Sequence, residues 1–300
     1  MLIQNARLAD GRQRDVRVEG ERIAAVGRDL DGEADIDAAG KLLLPGMIDS
    51  HVHFREPGFP EKETWTSGSR AAAAGGVTTV IDQPNTKPPT IDGRTFDEKA
   101  AYATKSLVDF GLNGGVTPDW QPDELFSRPL FALGEVFLAD STGKMGIDTE
   151  LFAGAVAEAT THDVPVTVHA EDATRFESAA KERDDADAWS AFRTAEAERV
   201  AIEYACEVAR ETGTTLHIAH TSTPAGIDLA AEAGMTCEVT PHHLLLSRDD
   251  YDQLGTFGRM NPPLRSEHRR KPVYERLTSG VVDIVATDHA PHTHAEKEGG

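Results

Sequence analysis

Cysteine is scarce in this 300-residue chain, with two residues, Cys206 and Cys237. Two distant thiols make no disulfide framework and lack the close spacing of a metal knuckle, so both read as buried thiols. No apolar run approaches the length of a membrane span, and the start MLIQNARLADGR has no apolar stretch behind a basic one. The chain is therefore expected to be soluble and cytoplasmic. Basic residues are also short in supply. Thirty Lys+Arg stand against 51 Asp+Glu, a formal net charge of −21, and no basic patch interrupts the excess. Nucleic acid and anionic membrane are excluded as partners, because both are bound through cations that neutralise phosphate. No Gly-rich loop with a following Lys-Ser/Thr is present, which excludes that type of phosphate cradle. Internal repeats and low-complexity segments are missing too.

What is present is enough apolar sequence for a packed core, 39% against 27% charged. The acids are spread along the chain rather than gathered in a tail, and Arg outnumbers Lys 21 to 9. A surface acidic throughout suits a salt-rich cytoplasm, where screening relieves self-repulsion. Thermal stability is accordingly expected to fall in salt-free buffer, and a melting temperature unchanged by salt removal would contradict this reading.

Residues 1–46 read as a small antiparallel β module, with strands at Leu2 to Leu8, Asp15 to Glu19, Arg22 to Val26 and Lys41 to Leu44, parted by turn signals such as Asp10-Gly11. From residue 47 to 300 apolar strands alternate with amphipathic helices. Strands are expected at Met47 to Val52, Val77 to Asp82, Val108 to Gly111, Leu130 to Leu138, Val164 to His169, Thr214 to Ala219, Met235 to Val239 and Val281 to Thr287. Helices are expected at Glu150 to Thr161, Ala195 to Glu211 and Pro224 to Ala233. Eight Val- and Ile-rich strands alternating with helices argue for an α/β fold, a closed (β/α)8 barrel of TIM type, with a doubly wound sheet as the alternative. The end, His294 to Gly300, reads as a polar loop without a closing element, so the chain is expected to be an incomplete copy of a longer protein.

The polar residues at the strand ends carry the chemistry. His51 and His53 lie two apart at the end of the first barrel strand, and residues i and i+2 share a face, so both imidazoles are expected in the barrel mouth. His169, His220 and Asp288 each terminate or follow an apolar strand that has no structural use for them. Imidazoles and a carboxylate converging from four strands make a mixed N/O site suited to zinc, with manganese or another borderline divalent ion possible. Arg55, two residues past His53, is expected on the same face, where a guanidinium matches a carboxylate by bidentate pairing.

The run Pro45-Gly46-Met47-Ile48-Asp49-Ser50-His51-Val52-His53 resembles the opening of the metal-dependent amidohydrolases. Arg55-Glu56-Pro57-Gly58, Pro84-Asn85-Thr86, Val168-His169-Ala170-Glu171-Asp172, Ile218-Ala219-His220-Thr221-Ser222-Thr223, Asn261-Pro262-Pro263-Leu264-Arg265 and Ala286-Thr287-Asp288-His289-Ala290-Pro291-His292 are similar to the dihydroorotases in particular. The likeness runs in order from about residue 40 to the last residues. It implies a (β/α)8 barrel with a small β domain formed by both chain ends, and zinc-dependent, reversible interconversion of N-carbamoyl-L-aspartate and dihydroorotate in pyrimidine synthesis. Carried over residue by residue, the resemblance gives His51 and His53 to one metal, His169 and His220 to the other, and Asp288 to the first metal as catalytic acid/base. It gives His53, Arg55, Asn85, Asn261 and His292 to the substrate. Two zinc ions per chain are implied, or one if nothing bridges them. Opening a cyclic amide needs a nucleophile stronger than neutral water, which metal-bound hydroxide supplies.

One position departs from the pattern. Many relatives bridge their metals with a carboxylated lysine after the fourth strand, where this chain has Glu135; Glu135 is the preferred bridging ligand and Asp140, in the following loop, the alternative. His242 and His243 read as local packing or caps, or else as donors behind the ligands. His217 reads as core, His289 and His294 as loop residues, His162 and His268 as surface. A related cyclic amidase, hydantoinase or allantoinase, and a metal-free non-catalytic homologue are the competing readings. Arg55 separates dihydroorotase from the other amidases, because it serves a small substrate bearing a carboxylate. The sequence leaves open homo-oligomers and association with aspartate carbamoyltransferase. With the acidic surface, the resemblance points to a halophilic archaeal source.

Overall fold

The structure, a computed structural model, describes residues 1–141 and 144–298. The chain falls into two compact units, divided between Met47 and Ile48. The first is a four-stranded sheet in the order β3-β2-β1-β4, formed by β1 (Leu2–Arg7), β2 (Gln13–Glu19), β3 (Arg22–Gly27) and β4 (Ile36–Asp37). Two expectations are corrected here. The sheet is not wholly antiparallel, since β4 runs parallel to β1. Lys41 to Leu44 is no strand; it contributes a single bridge, Arg7 to Leu42, because the two-residue β4 already occupies the edge of β1.

The eight expected strands follow in sequence order, the first opening on the last residue of the first unit and the rest lying in the second: β5 (Met47–Val52), β6 (Val77–Asp82), β7 (Asp109–Leu112), β8 (Leu133–Phe137), β9 (Val166–His169), β10 (Leu216–Ile218), β11 (Thr236–Val239) and β12 (Ile284–Val285). They form a three-stranded sheet, β5-β6-β7, and a five-stranded sheet, β12-β11-β10-β9-β8. Parallel bridges span both gaps, Gly114 to Leu133 on one side and Val52 to His289 on the other. Strand order follows chain order with no reversal, which sets the doubly wound alternative aside and gives the (β/α)8 barrel. Most strands begin later than the apolar runs suggest, and β12 is the most shortened, because flanking apolar residues such as Leu130 and Val281 lie in the approaches to the strands.

Local chemistry explains the helices between them. Helix Ala195–Thr212 starts on Thr194, whose side chain accepts from Ala197 N, carries Glu196 and Glu198 in its first turn and stops at Gly213 with φ 70°. Helices Thr149–Thr161 and Pro224–Glu232 are likewise capped, by Asp148 and Thr223. Apolar faces from these helices and the strands meet in one core that includes Trp65, Phe152, Ile202, Leu216 and Ile227. Cys206 and Cys237 are buried within it as free thiols. The expected terminal loop is in part a short helix, His294–Glu298; Gly299 and Gly300 lie outside the described residues. Among the described residues no helix is long and apolar enough to cross a membrane.

Candidate metal and substrate site

Carboxyl ends of the barrel strands meet in a pocket of about 340 Å³ lined by His53, Arg55, Asn85, Glu135, His169, His220, Asn261, Asp288 and His292 among others. His51 projects from β5 and His53 follows it, both buried, as the two-residue period requires. Glu135 comes from the middle of β8, His169 ends β9, and His220 and Asp288 follow β10 and β12. His220 and Asp288 have φ of 31° and 50°, in the left-handed region that non-glycine residues seldom occupy. Such backbone costs of order 1–3 kcal/mol and is held where the surroundings over-determine it.

Glu135 lies between two groups of imidazoles. Its Oε1 is 2.5 Å from His220 Nε2 and 2.9 Å from His169 Nδ1, and those two nitrogens are 3.0 Å apart. Its Oε2 is 3.4 Å from His51 Nε2 and 3.9 Å from His53 Nε2. On that side Asp288 Oδ1 lies 3.0 Å from His53 Nε2 and 3.6 Å from His51 Nε2. Zinc ligands about 2 Å from the ion stand roughly 3.3 Å from one another, so these spacings suit first-row divalent ions. His51 Nε2 is buried without a hydrogen-bond partner, although it faces two carboxylate oxygens. An orphaned nitrogen aimed at acceptors that need a cation is the observation by which the residues fit a metal. Asp140 is exposed, and its Oδ1 accepts from Gly146 N at 2.8 Å, so it stands away from this cluster.

Burial disfavours charge on His169, yet hydrogen bonds to Glu135 and Glu171 push its imidazole up to about 9. Burial also works against the carboxylates of Glu135 and Asp288, but the surrounding imidazoles win and hold both well below the ordinary range. A divalent ion would take over this role from protons.

Arg55 is buried against the pocket, its Nε donating to Pro291 O at 3.1 Å and its Nη2 lying 3.3 Å from His292 Nε2. Among the described residues no carboxylate comes within 4 Å of its guanidinium. Asn85 lines the pocket but its Oδ1 is 2.6 Å from His53 Nδ1, so it also fixes that ring. Both ends of Asn261 are occupied, Oδ1 accepting from Trp189 Nε1 at 2.9 Å and Nδ2 donating to Ser141 Oγ at 3.0 Å. His243 is held by Thr240 and the Pro262 carbonyl, as a local cap, whereas His242 lines the pocket.

Sequence reasoning missed the groups behind the imidazoles. Glu238, 1% exposed in β11, has Oε1 at 2.6 Å from His51 Nδ1. Glu171 Oε2 lies 2.8 Å from His169 Nε2 and in turn receives Arg193 Nε at 2.9 Å. Carboxylates that engage the second ring nitrogen fix the tautomer and aim the first. The signal available was a glutamate inside the otherwise apolar Thr236-Cys237-Glu238-Val239. Gly134 was missed as well: its φ is 131°, and a Cβ there would strike the Thr167 carbonyl oxygen. Gly134→Ala is expected to lower stability by about 1–3 kcal/mol through the backbone alone, with a comparable overpacking cost. Denaturant midpoints measure this, and a variant as stable as the parent would show that β8 tolerates a side chain at that point.

Comparison with known proteins agrees with this geometry. The amidohydrolase family matches residues 42–298. The dihydroorotase of Halobacterium salinarum is 67% identical over 298 residues, which is 99% of this chain and 71% of that protein. The dihydroorotase of Methanosarcina mazei is 43% identical, over 94% of this chain and 66% of its own length. The chain thus spans about two thirds of these relatives. In structure it is similar to an L-hydantoinase from Arthrobacter aurescens, with a TM-score of 0.92 and 30% identity over 99% of this chain and 71% of that one. The chain belongs to the amidohydrolase family and, within it, to the dihydroorotases.

Proposed function

We propose that this chain catalyses the reversible ring closure of N-carbamoyl-L-aspartate to dihydroorotate, in the cytoplasmic synthesis of pyrimidines. The observation that carries the choice among cyclic amides is Arg55. A buried guanidinium with no carboxylate among the described residues within 4 Å is costly unless a ligand supplies the anion, and dihydroorotate has a carboxylate where hydantoin has none. The closest competing reading, a hydantoinase, shares the barrel and the imidazoles but leaves Arg55 without a task.

His51, His53 and Asp288 would hold one divalent ion and His169 and His220 a second, with Glu135, between the two groups, a ligand they would share. Zinc suits this donor set. Such ions, when bound, polarise a carbonyl oxygen and make water nucleophilic near neutral pH. Arg55 holds the substrate carboxylate, with His292 beside it. Asn261, fixed by Trp189 and Ser141, lines the same pocket. Asp288, kept ionised by its imidazole neighbours, takes a proton from the attacking water and hands it to the departing ring nitrogen. In the synthetic direction the same carboxylate removes that proton from the ureido nitrogen.

The test is turnover of dihydroorotate, hydantoin and allantoin before and after chelation. Dihydroorotate is expected to be preferred by at least about tenfold in kcat/KM, the worth of roughly 1.4 kcal/mol, and to lose turnover on chelation. Turnover of hydantoin with none of dihydroorotate would overturn the proposal.

A further inference from the structure

TIM-type barrels fill their interior with layers of branched apolar side chains. The layer directly beneath this site is instead polar. Asp49 accepts from Thr287 N at 3.0 Å and Thr287 Oγ1 at 2.6 Å, tying the first strand to the last. Glu238 engages His51, His217 and Ser50 and accepts from His220 N at 3.2 Å. Gln83 Oε1 accepts from Asn113 Nδ2 at 3.0 Å and from Glu135 N at 2.9 Å, while its Nε2 donates to Ser50 O at 3.3 Å. Asp82 Oδ1 accepts from Phe54 N at 2.6 Å, between His53 and Arg55.

One side chain reaches this belt from outside the barrel. Lys99, on helix Gly93–Ala103, is fully buried; its Nζ is 2.5 Å from Asp82 Oδ2 and donates to the Gln83 carbonyl. It thus sits under both halves of the site, beneath the His53 to Arg55 turn through Asp82 and beneath Glu135 through Gln83. Net stability does not explain it, since a buried ion pair is commonly matched or exceeded by apolar residues of like volume. We infer that Lys99 is a positioning residue, setting the His53–Arg55 turn and the Glu135 backbone to one another so that both metal positions form together. The inference rests on the metal reading above.

Two variants separate positioning from mere charge balance. Lys99→Met leaves Asp82 buried and unpaired and should lose both stability and metal. Lys99→Met with Asp82→Asn restores neutrality, so its melting temperature is expected near that of the parent. Its affinity for cobalt(II), followed by visible absorption of the loaded 300-residue chain, is expected to stay about 10–100-fold weaker, the usual effect of losing a group behind the ligands. Parent-like cobalt affinity and absorption in the double variant would overturn the inference. Should that variant not fold, Gln83→Met decides, because it cuts the tie to Glu135 and leaves the Lys99–Asp82 pair intact; parent-like cobalt affinity there overturns the inference equally. A parent chain that takes up no cobalt would instead overturn the metal reading itself.

Discussion

Asp288→Asn is expected to lower kcat for dihydroorotate by about 10²–10⁴-fold, the range a positioned acid/base contributes. The substitution keeps the shape of the side chain and its tolerance of positive φ, so the fold should survive. What it removes is the ability to accept a proton. Asp288 Oδ1 is 3.0 Å from His53 Nε2, and the imidazoles keep the carboxylate ionised against the effect of burial. An amide at that place still offers an oxygen to a cation but cannot carry a proton from water to ring nitrogen. Metal content is measured alongside, because loss of the ion would lower kcat by another route. A variant that retains its metal and loses less than tenfold in kcat would remove Asp288 from proton transfer.

Arg55→Met should act on binding of the carboxylate and therefore on substrate choice. Truncating one partner of a buried charge-assisted pair costs roughly 2–5 kcal/mol, so kcat/KM for dihydroorotate is expected to fall by roughly 30-fold to several thousandfold. Slow turnover of hydantoin, if measurable in the parent, should change far less, since that ring carries no carboxylate. An equal fall for both substrates would mean that Arg55 supports the site rather than the ligand. The same variant has a second readout. Burial, then the Arg55 charge, hold the His292 imidazole down at about 4. Removing the guanidinium takes away one of those causes, so the His292 titration is expected to move up, toward 6.5, in a proton or nitrogen NMR titration. No movement would place the two side chains out of electrostatic contact.

The residues that end strands were legible because an apolar strand gives a reason for each of its side chains except the polar one at its tip. His51, His53, His169, His220 and Asp288 stood out in this way, and so did Arg55 by its two-residue spacing. The partners behind them were not legible. Alternation states which face of a strand a residue occupies, not which residue of a distant strand it meets, so Glu238 gave no sign of its contact with His51, 187 positions away. Lys99 was hidden for another reason: a lysine on an amphipathic helix ordinarily covers solvent-facing surface, and only the depth of Asp82 and Gln83 beneath that helix turns it inward. Likewise β4 was missed, because two residues carry no periodicity, while Lys41 to Leu44 had the composition of a strand but found the edge taken.

The polar belt beneath the site has a consequence for how the molecule comes together. Its groups are drawn from five of the eight strands and from just past the ends of two more, and most of them are buried. A barrel lacking any one of those strands would leave donors and acceptors stranded in an apolar interior, at a cost of about 1–3 kcal/mol each. Partial barrels are therefore disfavoured, and the last strand to dock completes the scaffold and the cation cage in one step. Cation affinity and global unfolding then become linked quantities: whatever loosens strand docking, even far from the imidazoles, should register as weakened cation binding, and a bound cation should raise the melting temperature of the whole barrel.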